Sequence, residues 1–396
     1  MSDTTAHSLT GPDGKRTMPG WLRGIYAGLF LYLFLCSINV MGGGLKMLAN
    51  DPSSKVWIDR VFDFADNPFV ALMAAVLVTA IVQSSSFTTS MIITMAAAGT
   101  LHVDAAIFAV MGANIGTSVT GILVSLANIR IRRQFRRAFT AAMVHDIFNL
   151  LSVGVLFPIE WLFHPLARMA GAIAGGIGIQ SAGKPNSPIK AITRPVVDLI
   201  DAGVNLVFSN PATIGLAVAI VGLVMLFLSL VMLMVNLRGA LMSRLEALFR
   251  SVFFRNDLIA GVVGTLTTVL VQSSSITTSL IVPLAGAGAV TLRRVFSFML
   301  GANIGTTVTG VLAAAAVADR QDIAVTIAAS HVLFNVCGIL IWYPLKVVPL
   351  TLATWYGRLA ARSKRYAILF LVMVFFVIPG LGLLITELLR LALPAP

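Results

Sequence analysis

Gln83-Ser-Ser-Ser-Phe-Thr-Thr-Ser90 recurs further along the chain as Gln272-Ser-Ser-Ser-Ile-Thr-Thr-Ser279, with residue 272 standing 189 positions after residue 83. Gly112-Ala-Asn-Ile-Gly-Thr-Ser-Val-Thr-Gly121 recurs at the same displacement as Gly301-Ala-Asn-Ile-Gly-Thr-Thr-Val-Thr-Gly310. A third pair, His145-Asp-Ile-Phe-Asn149 and His331-Val-Leu-Phe-Asn335, has slipped to 186, so three residues were lost in between. The chain is two copies of one unit, and the copies agree best where they are polar. A purely structural apolar repeat would show the reverse, whereas a duplicated transporter with its binding site at the repeat interface fits.

The runs flanking the first motif are short. Pro68 to Val82 has 15 apolar residues, about 22 Å as a helix, less than the ~30 Å of a hydrocarbon core. A second short run follows the polar stretch and ends at Gly99. This predicts a re-entrant hairpin whose polar turn stops inside the membrane, where non-helical backbone needs protein or a watery cavity around it. The second hairpin spans roughly Asp257 to Gly288. Ser and Thr also serve close packing in membrane helices, but packing does not call for the same Gln-led set twice. The Gly-Ala-Asn-Ile-Gly-Thr segments predict a broken helix in each copy. Such a break frees carbonyls beside Asn114 and Thr117, and beside Asn303, Thr306, Thr307 and Thr309. Hard cations such as sodium want these uncharged oxygens, while half-helix N-termini attract anions.

Composition agrees. Apolar residues make up 58% of the chain and charged residues 11%, and several apolar runs reach ~20 residues, which excludes a soluble domain. The net charge of +12 suits contact with anionic lipid. Cys36 and Cys337 form no framework or metal pattern. No Gly-rich phosphate loop ending in Lys-Ser/Thr is present, which argues against an ATP-driven pump.

The expected organisation is a polar tail (1–20), a first repeat (21–164), a linker (165–211), a second repeat (212–350), and a basic loop with a last membrane helix (351–396). The stretch from Ala49 to Asn67 reads as a polar surface loop. Asn128-Ile-Arg-Ile-Arg-Arg-Gln-Phe-Arg-Arg137 is the densest charge run, while its counterpart Ala318-Asp-Arg-Gln-Asp322 is net acidic. The positive-inside rule puts the first in the cytoplasm and gives the second no reason to be there, so oppositely inserted repeats are expected. Asp146 lies deep in an apolar run, one residue from His145 and close to Asn149. Ionisable residues at that depth normally face a cavity or an ion path. The second copy has Val332 there, so the two halves are not equivalent. The two histidines read as satisfied core residues.

Together with Phe135-Arg-Arg-Ala-Phe139, Leu31-Tyr-Leu-Phe-Leu-Cys-Ser37 and Gly338-Ile-Leu-Ile-Trp-Tyr-Pro344, these motifs resemble the type II sodium/phosphate cotransporter family over nearly the whole chain. The resemblance implies an all-α integral membrane protein of two inverted repeats, each with a re-entrant helical hairpin and a broken transmembrane helix. It implies sodium-coupled phosphate import by alternating access, electrogenic because an Asp stands at position 146. Gln83, Ser84, Ser85, Ser86, Gln272, Ser273, Ser274, Ser275 and Arg132 would hold phosphate. Thr88, Asn114, Thr117, Asp146, Asn149, Thr277, Asn303, Thr306 and Thr309 would serve sodium. Animal members carry Gln and Asp where this chain has Asn128 and Ile131, and a large loop where it has a short linker. The expected partners are inorganic phosphate, sodium as co-substrate and membrane lipid, with no cofactor, enzyme activity or nucleic acid. The expected setting is a multi-pass position in a cell membrane, a bacterial inner membrane. Two other readings are a phosphate exporter of the same fold and a non-transporting membrane scaffold or sensor, although a scaffold has no need for duplicated polar turns.

Overall fold

The computed structural model describes residues 18–127, 129–176, 188–251 and 256–392, with side chains at 56–59, 61–63 and 242–251 outside the description. Most of the polar tail, Asn128, most of the polar part of the linker and Arg255 therefore lie outside the described residues. What is described is helical, with no strand among the described residues.

The first hairpin is α3 (Pro68–Val82) and α4 (Ser85–Ala98), and its ends are written in the sequence. Asn67 caps α3 by accepting from the amides of Phe69 (2.9 Å) and Val70 (3.2 Å), with Pro68 at the first helical position. Gln83 stops α3 in the left-handed region at φ 60°, a conformation that costs a side-chain-bearing residue about 1–2 kcal/mol. Its amide nitrogen donates to Ala80 O at 2.7 Å, which satisfies one of the helix's last carbonyls. Ser84 then caps α4 by accepting from the Phe87 amide, and Gly99 closes α4 at φ 80°. The second hairpin, α11 (Asp257–Val271) and α12 (Ser274–Ala287), repeats each device: Asn256 as cap, Gln272 at φ 57° with Nε2 on Val269 O at 2.6 Å, Ser273 as cap, and Gly288 at φ 80°.

Each hairpin rests on the helix that carries the second motif. In the first repeat this is α5 (Val103–Gly116), followed after Thr117 and Ser118 by α6 (Val119–Leu126); in the second it is α13 (Leu292–Ala316). A Cβ on Gly112 would stand 2.2 Å from Leu72 O, and one on Gly301 would stand 1.9 Å from Gly261 O. Only glycine permits that approach, the usual way for membrane helices to pack closely. These segments are the most enclosed: the apolar windows of Val103–Leu126 and Leu292–Ala316 are 83% and 78% buried, against 11% for Arg365–Ala392.

The break expected in both copies is reduced to a two-residue interruption in the first, where Thr117 and Ser118 keep right-handed helical dihedrals and Val103–Leu126 continues as one span, and it is absent from the second, where α13 runs unbroken through its motif. The hydroxyls differ at that point. Ser118 Oγ is engaged by His145 Nδ1 at 3.0 Å, whereas the equivalent Thr307 donates to its own helix at Ile304 O, 2.7 Å away.

The remaining elements are α1 (Gly20–Asn50), α2 (Pro52–Ala65), α7 (Arg132–Phe163), α8 (Pro165–Gly176), α9 (Pro188–Val207), α10 (Pro211–Ser251), α14 (Gln321–Trp342) and α15 (Val347–Arg362). Last comes α16 (Arg365–Val372), continued through a π-helical turn (Met373–Val377) into α17 (Ile378–Ala392). Among the described residues, seven helices are long and apolar enough to cross a membrane, so this is a multi-pass membrane protein. Two expectations are corrected. The stretch read as a loop before the first hairpin is mostly α2, and the basic residues from 351 to 362 close α15 instead of lying in a loop. The stretch expected as a linker contains α8 and α9.

The hairpins' outer ends sit apart. Arg320 Nη1 lies over Gly99, and Arg137 Nη1 lies over Gly288. Helix α13 starts just past Gly288 and ends four residues before Arg320, so about 37 Å of helix separates the two ends.

Candidate functional site

Within each hairpin, a threonine pair staples the arms. Thr79 Oγ1 donates to Thr88 Oγ1 at 2.9 Å, and Thr268 donates to Thr277 at 3.0 Å. Thr88 and Thr277 in turn donate to the carbonyls of Ser84 (3.2 Å) and Ser273 (2.9 Å). Both turns are thereby fixed, with the N-termini of α4 and α12 directed at the turn and the carbonyl ends of α3 and α11 beside them. That pairing of bare N–H groups with terminal carbonyls offers one anion and one cation place side by side.

The two turns meet through Thr309. Ser86 Oγ donates to Thr309 Oγ1 at 3.2 Å, and Thr309 donates to Gln272 Oε1 at 3.0 Å, so a single hydroxyl links the first turn to the second. Thr120 holds Gln83 in the same way, Oγ1 to Oε1 at 2.8 Å. Among the described residues no hydrogen bond runs from Ser275 to Thr120, so the link between turns is one-sided. Burial follows the same asymmetry: Ser85, Ser86, Gln272, Ser273 and Ser274 are buried, while Gln83, Ser84 and Ser275 are half-buried.

Beneath the turns a buried amide chain crosses the repeats. His145 Nε2 donates to Asn303 Oδ1 (2.7 Å), Asn303 Nδ2 to Asn149 Oδ1 (2.9 Å), and Asn149 Nδ2 to Asn114 O at the end of the interrupted helix (3.0 Å). Asn114 donates to Val110 O, and Thr117 and Thr306 donate to Ala113 O and Ala302 O, each at 2.9 Å within their own helices. His145 is thus a satisfied core histidine, as expected. His331 is not, since neither of its ring nitrogens has a partner.

Asp146 is 2% exposed, and neither of its carboxylate oxygens has a hydrogen-bond partner. Ser118 lies beside it but is directed to His145. No arginine or lysine pairs with Asp146 among the described residues. A carboxylate buried without a partner is costly, and a cation would complete it.

Arg132 is not brought to the turns. Its Nε donates to Ala361 O at 3.0 Å, and it lines a surface cavity with Arg130, Arg362, Lys364 and Arg365. Sequence reasoning missed Thr120 and Ser118 as site residues. The 189-residue displacement that pairs Thr120 with Thr309 was a signal for the first, while the second required knowing where His145 points.

A family model described as Na+/Pi-cotransporter matches residues 33–182 and 225–376. The chain is 33% identical to the mouse sodium-dependent phosphate transport protein 2A over 420 aligned positions, covering 89% of this chain and 66% of that protein. It is 34% identical to the rabbit 2A protein, covering 89% and 65%, and 31% identical to the human sodium-dependent phosphate transport protein 2B, covering 88% and 63%. The chain thus spans a little under two thirds of the length of these curated relatives. No solved structure matches it. With matched stretches in both halves and relatives aligned across nearly all of it, the chain belongs to the Na+/Pi-cotransporter family.

Proposed function

We propose that this chain is a secondary transporter that imports inorganic phosphate with sodium by alternating access, with phosphate held between the two hairpin turns. The observation that carries the reading is the Ser86–Thr309–Gln272 link, which joins two polar turns from distant parts of the chain around one hydroxyl. Neutral hydroxyls and helix N-termini suit an oxyanion that must be released again, since they bind it without a fixed opposite charge.

The sodium places in this reading are the carbonyl and amide oxygens around Asn114, Asn149 and Asn303, together with Asp146. An unpartnered carboxylate there adds one charge to the moving site and makes transport electrogenic. Hairpin ends at opposite ends of α13 support re-entrant hairpins in inverted repeats, and the one-sided link between turns supports a conformation caught in one half of the cycle. The names of the relatives, which specify sodium-dependent phosphate transport, support the choice of substrates. The membrane we propose for it is a bacterial inner membrane.

The test is uptake of labelled phosphate by proteoliposomes holding the purified chain. An inward sodium gradient should drive accumulation that choline or potassium does not. Equal uptake under all three cations would remove the coupling, and none under any of them would remove the transport reading.

A further inference from the structure

A cavity of about 330 Å³ opens between α7, α12 and α15, lined among others by Arg136, Arg137, Arg358, Thr140 and Gly288. It takes no part in the arrangement of the turns. Its counterpart at the base of the first hairpin is a cavity of about 800 Å³ bounded by α1, α4, α9 and residues 317–319. There the cations are matched by acids: Lys46 and Lys190 pair with Asp319 at 2.7 and 3.5 Å, and Arg194 pairs with Asp198 at 3.3 Å. The smaller cavity has three guanidinium groups, no carboxylate in its lining, and no ion pair to any of the three among the described residues.

Two further features mark it as built. Thr140 is 7% exposed and lines the cavity, and its hydroxyl has no hydrogen-bond partner among the described residues. Gly357 makes room for it, since a Cβ there would stand 2.0 Å from Thr140 Oγ1. Arg137, for its part, lies across the bare backbone of Gly288, where a Cβ would stand 2.2 Å from Nη1, so its guanidinium sits at the base of the second hairpin. A general excess of positive charge at one membrane face accounts for basic residues in this region. It does not account for three of them around one cavity that holds a threonine hydroxyl without a hydrogen-bond partner and no carboxylate.

We propose that this cavity is a sodium-independent binding site for a phosphate group. Guanidinium forks match phosphate oxygens in geometry and charge, and the Thr140 hydroxyl supplies one more donor. The group can come from free inorganic phosphate or from an anionic lipid headgroup at the membrane surface. In the first case, and only on the import reading, the cavity is where phosphate leaving the second hairpin is held before release.

The test uses the full chain in nanodiscs of phosphatidylcholine, with sodium replaced by N-methylglucamine and labelled inorganic phosphate as the probe. Saturable binding is expected that persists in Ser85→Ala and Ser274→Ala. Affinity should fall at least ten-fold in Arg137→Gln and separately in the exposed Arg358→Gln, return only in part in Arg358→Lys, which keeps the charge and loses the fork, and weaken with added salt. In a second arm, the phosphatidylglycerol retained by the purified chain is counted by native mass spectrometry. One more molecule on the wild type than on either Gln variant identifies a headgroup as the occupant and upholds the site. Equal phosphate binding and equal lipid retention across wild type and variants overturns it. Because no sodium or transport enters the assay, failure of sodium-driven uptake would leave this result standing.

Discussion

Ser86 and Thr309, 223 positions apart in the chain, are joined hydroxyl to hydroxyl at 3.2 Å. Thr309 in turn bonds Gln272, so removing its hydroxyl strands a buried serine and a buried amide oxygen together. Thr309→Val should lower stability by about 1–3 kcal/mol and reduce phosphate uptake at least ten-fold, while Thr309→Ser retains most of both. Melting and uptake measured on the two variants check this. A Val variant that transports normally would show that the link does not shape the site.

Glycine packing under the hairpins should be intolerant. Gly112→Ala and Gly301→Ala each push a methyl to within 2.2 Å of a carbonyl oxygen, an overpacking that costs typically 1–3 kcal/mol or more. Gly154→Ala on α7 meets nothing within 4 Å and should be neutral or stabilising by up to about 1 kcal/mol. The yield of folded protein and the melting temperature in detergent rank the three.

Asp146 has no partner to lose, so Asp146→Asn should leave the fold intact. Asp146→Gly should remove one sodium site and its share of the current. Phosphate-evoked current recorded alongside labelled uptake gives the charge moved per phosphate. An unchanged ratio in the Gly variant would make the carboxylate structural.

Much of this was legible in the sequence because polar residues end each arm for local reasons. Asn67 and Asn256 cap, Gln83 and Gln272 stop, and Gly99 and Gly288 close, and each acts on backbone within a few residues. What was not legible depends on partners far along the chain. Ser118 and Thr307 occupy equivalent positions, yet one is engaged by His145 and the other stays in its helix, and only the first copy is interrupted there. A repeat also implies symmetry, which hid the one-sided bond from Ser86 to Thr309. Arg132 was placed by resemblance, and the backbone of α15 takes it instead. Pro52–Ala65 is too polar to declare itself as a helix by apolar run alone.

The ion cluster between α1, α9 and residue 319 predicts a pH effect. The Lys46 ammonium hydrogen-bonded to Asp319, with help from Lys190, holds this carboxyl below its ordinary range. A lowered folded-state pKa means that the stabilisation is present above the unfolded value and disappears as pH falls through the folded one. The melting difference between wild type and Asp319→Asn should therefore be small but constant near neutrality, since the group is nearly half exposed. It should vanish in acid, whereas a difference that grew on acidification would contradict the ion pairing.

Orientation can be read by labelling. With Cys36 and Cys337 replaced by alanine, single cysteines at Arg133 and Gln321 should react with a membrane-impermeant reagent from opposite sides. Reaction from the same side would rule out inverted repeats.

The sodium-dependent part of labelled phosphate binding to the purified chain is the most direct measurement of a site shared by the two hairpins. One phosphate per chain should bind in this component, and Ser85→Ala in the first turn or Ser274→Ala in the second should each abolish it entirely. Two sodium-dependent phosphates per chain, or variants that each remove only half of the binding, would mean that the turns hold separate sites and do not converge on one.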